Sequence, residues 1–297
     1  MKNNLHKYLI IIFFLSLLKP YAYSQDQFNF DITEVEILDN GNIYKGYKRG
    51  SINTNDGVSI DADKFDYNKT LNILNSYGNV LLYDSVKNFT IITQKATYFK
   101  DEEKIFTEGN SKAINENNIT ITADKFRYDK TENIFHAYGN VKINNPIKDY
   151  IIYAKEATYL KNEEKLFSKG KTKAIIKSQY IVDSEDVVFL VNESDLSSTK
   201  KTVINDQKSN FYYLEKFNFN INKDQLKGED ITAISNFGLP HSDQMHFSNA
   251  FINLQDKSFI AGKTFIKAHK EIFDDPKQDP RIKGISSIGD GNRTTIK

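Results

Sequence analysis

The sequence contains no cysteine and no tryptophan in 297 residues. Without cysteine there is no disulfide framework, no thiolate metal site and no thiol nucleophile. Excess charge of either sign is also missing, with 40 Lys and Arg against 39 Asp and Glu. That balance excludes global attraction to nucleic acid or to an anionic membrane surface, though not local patches. Walker-type motifs, Gly-rich phosphate loops and nucleophile elbows are absent. Gly284, Gly289 and Gly291 lie in a tail with no strand–helix context and suggest a linker. With 39% hydrophobic and 27% charged residues, the chain is neither disordered nor a helical membrane protein.

One long apolar run is present, at the N-terminus. Lys2, His6 and Lys7 give a basic start, and Tyr8 to Leu18 is apolar apart from Ser16. The run is the length of a secretory h-region and short for a bilayer span. The small residues Ala22 and Ser24 then predict cleavage between Ser24 and Gln25. The expected compartment is the periplasm, with residues 1–24 as signal peptide. An uncleaved N-terminal anchor is the alternative.

An internal repeat organises the rest. Ile60-Asp-Ala-Asp-Lys-Phe-Asp-Tyr-Asn-Lys-Thr-Leu-Asn-Ile73, leading to Tyr77-Gly-Asn-Val80, returns 61 residues later as Ile121-Thr-Ala-Asp-Lys-Phe-Arg-Tyr-Asp-Lys-Thr-Glu-Asn-Ile134 and Tyr138-Gly-Asn-Val141. The signature positions are Ala62, Phe65, Tyr67 and Gly78, then Ala123, Phe126, Tyr128 and Gly139. Glycines at 46, 78, 109, 139 and 170 divide the chain into units of about 31 residues, each two strands and a turn. Leu74, Ser76, Gly78, Val80 and Leu82 share one parity, as do Phe135, Ala137, Gly139, Val141 and Ile143, which is strand periodicity. Apolar parity shifts between Ala123 and Phe126, predicting a bulge or bend. Repetition of strand pairs predicts an all-β, elongated, repetitive jellyroll or solenoid in which units bury their apolar faces against neighbours.

No catalytic or metal-binding constellation stands out in the sequence. His241 and His246, beside Asp243, fall on opposite faces of a strand, so no metal site is expected. His136 and His269 occupy ordinary strand or surface positions. Glu102-Glu103 and Glu163-Glu164 recur with the repeat, which suits solvated turns better than a unique catalytic pair. The lysines at 161, 165, 169, 171 and 173 suggest a solvated face, with anionic lipid headgroups as a second reading and nucleic acid disfavoured by the export signal.

Ala62-Asp-Lys-Phe-Asp-Tyr67 with Gly78-Asn-Val80, and Ala123-Asp-Lys-Phe-Arg-Tyr128 with Gly139-Asn-Val141, resemble the OstA-like β-jellyroll of the lipopolysaccharide transport system. That family includes the LptA, LptC and LptD proteins. Within it, Asp279-Pro-Arg-Ile-Lys-Gly284-Ile-Ser-Ser-Ile-Gly-Asp290 and Thr294-Thr-Ile296 resemble the link between jellyroll and outer-membrane barrel in LptD-type proteins. The resemblance implies jellyroll repeats over 25–270 and a linker over 271–297 toward a barrel that this sequence does not reach.

It further implies a non-enzymatic protein without cofactor or metal, associated with the outer membrane. Lipopolysaccharide would lie along Leu74, Val80, Leu82, Phe135, Ala137, Val141 and Ile143. An LptA-type bridge would pair with the edge around Phe28 to Ile37, and an LptE-type lipoprotein with the barrel. A free-standing LptA-like bridge, a non-lipid structural β-solenoid and an enzyme remain as alternatives in that order.

Overall fold

A computed structural model describes residues 28–273, 277 and 280–297. The predicted signal peptide, its Ser24–Gln25 cleavage site and most of the 274–280 connector lie outside the described residues. The described chain is all-β: 28 strands with four short 3-10 turns, and no α-helix among the described residues.

The chain runs to and fro, and each pass crosses the whole molecule. Val58–Ala62 and Lys64–Asn68 form one pass bent at Asp63. The next pass is the single strand Ile73–Asp84, which pairs with Lys64–Asn68 through its first half and with Val58–Ala62 through its second. Phe89–Phe99 then pairs along its full length, with a register shift between Tyr77 and Val80. The pattern continues to the C-terminus, every pairing antiparallel and every pass bonded to the one before and the one after. Each 31-residue unit is therefore two passes, and each pass adds a rung to both of two sheets. The sheets join along the line of bends, the spine. Their far edges, where the turns lie, face each other across a mouth.

The repeat signature has a local cause at the spine. Gly78 and Asn79 have φ of +73° and +45°, and Gly139 and Asn140 have +73° and +49°, backbone that glycine and asparagine accept most readily. This turns the strand without ending it. Opposite each bend stands the signature aspartate. Asn79 donates to Asp63 at 2.7 Å, and Asn140 donates to both Asp124 oxygens at 3.1 Å. The backbone N–H of Asp63 and of Asp124 donates to the Gly78 and Gly139 carbonyls. The bend expected between Ala123 and Phe126 is thus at Asp124.

Tyrosines fix the turns at the mouth edge of the second sheet. The buried phenols of Tyr67, Tyr98, Tyr128 and Tyr159 donate to Asn72, Glu103, Asn133 and Glu164, each five residues on and each with positive φ. A side-chain acceptor on a left-handed residue satisfies a phenol that would otherwise be buried without a partner.

The linker expected over 271–297 needs correction. Arg281–Gly284 pairs with Thr264–Lys267, Ser287–Asp290 pairs with Ser258–Ala261, and Thr294–Ile296 closes on Ser287–Gly289. Gly284 and Gly289 lie in those strands rather than in a connector. The ladder therefore continues past 270: these short strands pair with the preceding ones despite the prolines before them, with Ser287 and Gly289 facing inward and Ile282 and Ile288 outward.

Candidate functional site

Side chains of both sheets point into the space between them and form one apolar core from Phe28 to Ala261. Alternation puts every second residue inside, and parity survives the bulges. Leu74, Phe135 and Ala137 come from the second sheet, and Val80, Leu82, Val141 and Ile143 from the first. All these predicted groove residues face inward and are at most 3% exposed. They pack against the opposite sheet, so the interior is filled by the protein's own side chains.

Two layers close the mouth. The inner layer is aromatic. Phe28 meets Tyr67 and Tyr98 edge-on, with ring centres 5.0 and 5.9 Å apart, and Phe89 meets Phe135 at 5.1 Å. Further along, Tyr150 meets Phe189 at 4.8 Å and Tyr180 meets Phe219 at 5.5 Å. Each pair joins the first sheet to the second and favours the T-shaped geometry of ring quadrupoles.

The outer layer is a row of lysines. From turns of the second sheet, Lys100 and Lys130 reach Asp56 on the first at 3.0 and 2.5 Å. Lys130 also lies 3.9 Å from the fully buried Asp84 and 3.3 Å from Glu103. Lys161 donates to the Lys87 carbonyl. From the first sheet, Lys148 donates to the Val191 carbonyl at 2.6 Å and to Ser194 at 3.2 Å. Lys177 binds both oxygens of Asp224 at 2.8 Å.

The electrostatics follow from this geometry. Burial would raise the Asp56 carboxyl, but hydrogen bonds from Lys130, Thr54 and Lys100 outweigh it and hold the group well below its usual range. Burial likewise opposes the Lys130 charge, yet Asp56, Glu103 and Asp84 raise its affinity for the proton. The interior tyrosines are pushed upward, mainly by burial: Tyr150 and Tyr180 to about 12, Tyr98, Tyr128, Tyr159 and Tyr212 higher.

At the C-terminal end the sheets part. A cavity of about 330 Å³ opens between them. Tyr212, Ala233, Met245 and Phe247 line it from the first sheet, Ile252 and Phe259 from the second. Its rim carries Asn210, Lys257 and Asn292. A second concavity, on the outer face of the first sheet, is lined by Lys142, Tyr153, Lys171 and Lys173 beside Asp183 and Glu185.

Other expected positions fall as follows. His241 and His246 do not converge: His241 contacts Glu271 and the His269 ring, whereas His246 faces Asp230. His269 is held by Asp243 at 2.9 Å, and His136 by Thr158 at 2.9 Å. Among the described residues no group of three or more His, Asp or Glu is placed to hold a metal. One turn expectation needs correction. Glu102 and Glu163 are solvated, but Glu103 and Glu164 anchor buried tyrosines. Lys130, also in a turn, is buried in the mouth because Asp56 and Asp84 face it from the other sheet.

The mouth lysines escaped notice in the sequence, although Lys100 and Lys161 stand at the same repeat position, as do Lys87 and Lys148. A charge recurring with an apolar repeat was the available signal.

No protein-family model matches the chain, and no curated protein matches it. Among solved structures it is similar to LptH of Pseudomonas aeruginosa, described as the LptA-homologous periplasmic component of the conserved lipopolysaccharide transport device. The identity is 12%, the match covers 39% of this chain and 93% of that one, and the TM-score is 0.36.

Proposed function

We propose that this chain is the periplasmic jellyroll of an LptD-type lipopolysaccharide-assembly protein, which takes lipid acyl chains into its interior and passes them toward the outer membrane without catalysis. The carrying observation is the single apolar core running between two sheets along the whole ladder. Each methylene withdrawn from water gains about 0.8 kcal/mol. A multi-tailed lipid therefore crosses an aqueous space far more easily along a continuous apolar path. Export energy has to come from elsewhere, as the chain carries no nucleotide-binding motif.

Unpaired edges support the partner assignments. Among the described residues, Phe28–Asp31 and Val35–Leu38 each pair with a strand on one side, an arrangement that strand addition by an LptA-type bridge would complete. Under the same reading, an LptE-type lipoprotein and a barrel belong downstream.

The test is photo-cross-linking at Val141, which points inward, against Lys142, the exposed next residue. Capture of lipopolysaccharide at Val141 alone is expected; equal labelling at both, or none at either, sinks the reading.

One observation favours a second reading, a structural β-solenoid. Leu74, Val80, Leu82 and Ile143 are 0% exposed, so the interior is already full. Lipid entry then requires the sheets to part, and a structural solenoid predicts no labelling at Val141. A free-standing bridge differs in another respect: it would restore lipopolysaccharide export with no barrel partner present.

A further inference from the structure

The mouth is laced along most of its length and unlaced at one end. Lys100, Lys130, Lys161, Lys148 and Lys177 each cross it, over aromatic pairs that join the two sheets. The next facing turns behave differently. Asp206 turns inward on its own loop, accepting from Asn210 at 2.7 Å. Opposite it, Lys257 is exposed and makes no ion pair among the described residues. No hydrogen bond or ion pair joins the 206–210 turn to the 253–258 turn among the described residues. Between these turns lies the 330 Å³ cavity.

The core explains why the gap stays open. Phe247 and Phe259 still touch across the sheets, with ring centres 5.2 Å apart, but closer to the mouth the first sheet offers Ala233 and Met245 beside Tyr212. Ala233 and Met245 are only partly buried, whereas Leu82, Ile91, Ile143 and Ile152 at the equivalent places are fully buried, and Asp243 stands where Phe89 and Tyr150 close the earlier passes. The cavity is at the lower end of ligand-pocket volumes, about 300–1,000 Å³, enough for a stretch of one acyl chain and not for a whole lipid. Among the described residues, Lys257 is the only cation lining it, and Asp243, the only carboxylate there, is already engaged by His269.

We propose that this gap is the delivery port of the interior, which the acyl chain of an anionic amphiphile crosses in either direction while Lys257 holds its carboxylate or phosphate head. This rests on the reading of the interior as lipid-binding. It goes further in giving the interior an opening at the end away from the edge proposed for the bridge, with the laced mouth excluding lateral exchange over the earlier passes.

The test uses the purified full chain and cis-parinaric acid, a fatty acid whose fluorescence rises in apolar surroundings. Ala233→Trp, which fills the cavity, is expected to weaken binding at least about tenfold, while Val86→Trp at an exposed turn leaves it unchanged. Lys257→Glu is expected to weaken the acid about fivefold and not the corresponding alcohol. A strap provides an arm that leaves the cavity untouched. With no native cysteine, Asp56→Cys and Lys130→Cys can be bridged by a short thiol cross-linker, and uptake should continue at the unbridged rate. Uptake that is stopped by the strap and indifferent to Ala233→Trp overturns the port alone. No uptake by the unaltered chain overturns the lipid-binding interior and the port with it.

Discussion

Lys130 and Asp56 stand 74 positions apart in the chain, and their charged groups meet at 2.5 Å across the mouth. Lys130 is also the nearest cation to Asp84, which is 0% exposed and has one carboxylate oxygen without a hydrogen bond. Removing the lysine strands a buried charge rather than simply deleting a contact. Loss of one partner of a fully buried pair costs about 3–5 kcal/mol. Asp56 is 42% exposed, so solvent recovers part of that. Lys130→Ala is expected to cost about 2–3 kcal/mol in urea unfolding. Lys169→Ala, which breaks an exposed pair with Glu156, should cost under about 0.5 kcal/mol. Equal losses in the two variants would show that the mouth contact contributes nothing particular.

The mouth also sets both limits of pH stability. Asp56 is depressed from 3.8 in the folded chain, so its contribution is present above that value and is lost as pH falls through the folded one. Acid unfolding should therefore steepen below pH about 4, and less so in Asp56→Asn. Tyrosines shift the other way. Their folded values are raised above 10.0, to about 12 for Tyr150 and Tyr180, so stability is full below 10 and is lost as pH rises toward the folded values. Phenolate absorbance at alkaline pH should show one cooperative rise coinciding with loss of β-structure. A gradual rise with the sheet intact would contradict this.

Much of this fold was visible in the spacing of a few residues. Phe135, Ala137, Val141 and Ile143, which share one parity in the sequence, are all buried, because strand alternation survives the bulge at Gly139 and Asn140. Which sheet each residue joins was not legible. A pass that bends from one sheet into the other looks, in sequence, like one strand or two depending only on its kink. The mouth network was hidden for a different reason. Its members are charged residues in turns, the usual mark of solvated loops, and their burial depends on the facing sheet, 43 to 74 positions away. The terminal strands were missed because proline and charge before Arg281 pointed to a connector, whereas an edge strand needs only one neighbour.

The spine offers a separate test. At φ +73° Gly139 lies where an added Cβ is strained and would meet the Asp124 carboxylate. Gly139→Ala is expected to cost about 1–3 kcal/mol in chemical unfolding. At Gly170, also at φ +73°, the added Cβ meets nothing, so alanine there should cost only the strain and be the milder change. A larger loss at Gly170 than at Gly139 would remove the Asp124 contact from the explanation of the repeat signature.

The N-terminal edge yields the last prediction. Val35–Leu38 is bonded to Ile43–Gly46 on one side, and its apolar side chains Val35, Ile37 and Leu38 are 37%, 59% and 37% exposed. An uncovered apolar edge favours addition of another strand, and lysine on such an edge opposes it without disturbing the existing pairing. Val35→Lys with Ile37→Lys should thus leave unfolding free energy within about 0.5 kcal/mol of the unaltered chain. The same pair should weaken capture of an LptA-type bridge about tenfold or more, as measured by cross-linking of the purified proteins. The opposite end supplies the control. Ile288 is 52% exposed on the penultimate strand, so Ile288→Lys should leave bridge capture unchanged if docking uses the N-terminal edge. Loss of capture with Ile288→Lys and not with the Val35 and Ile37 changes would place the bridge at the C-terminal end and reverse the polarity of the proposed path.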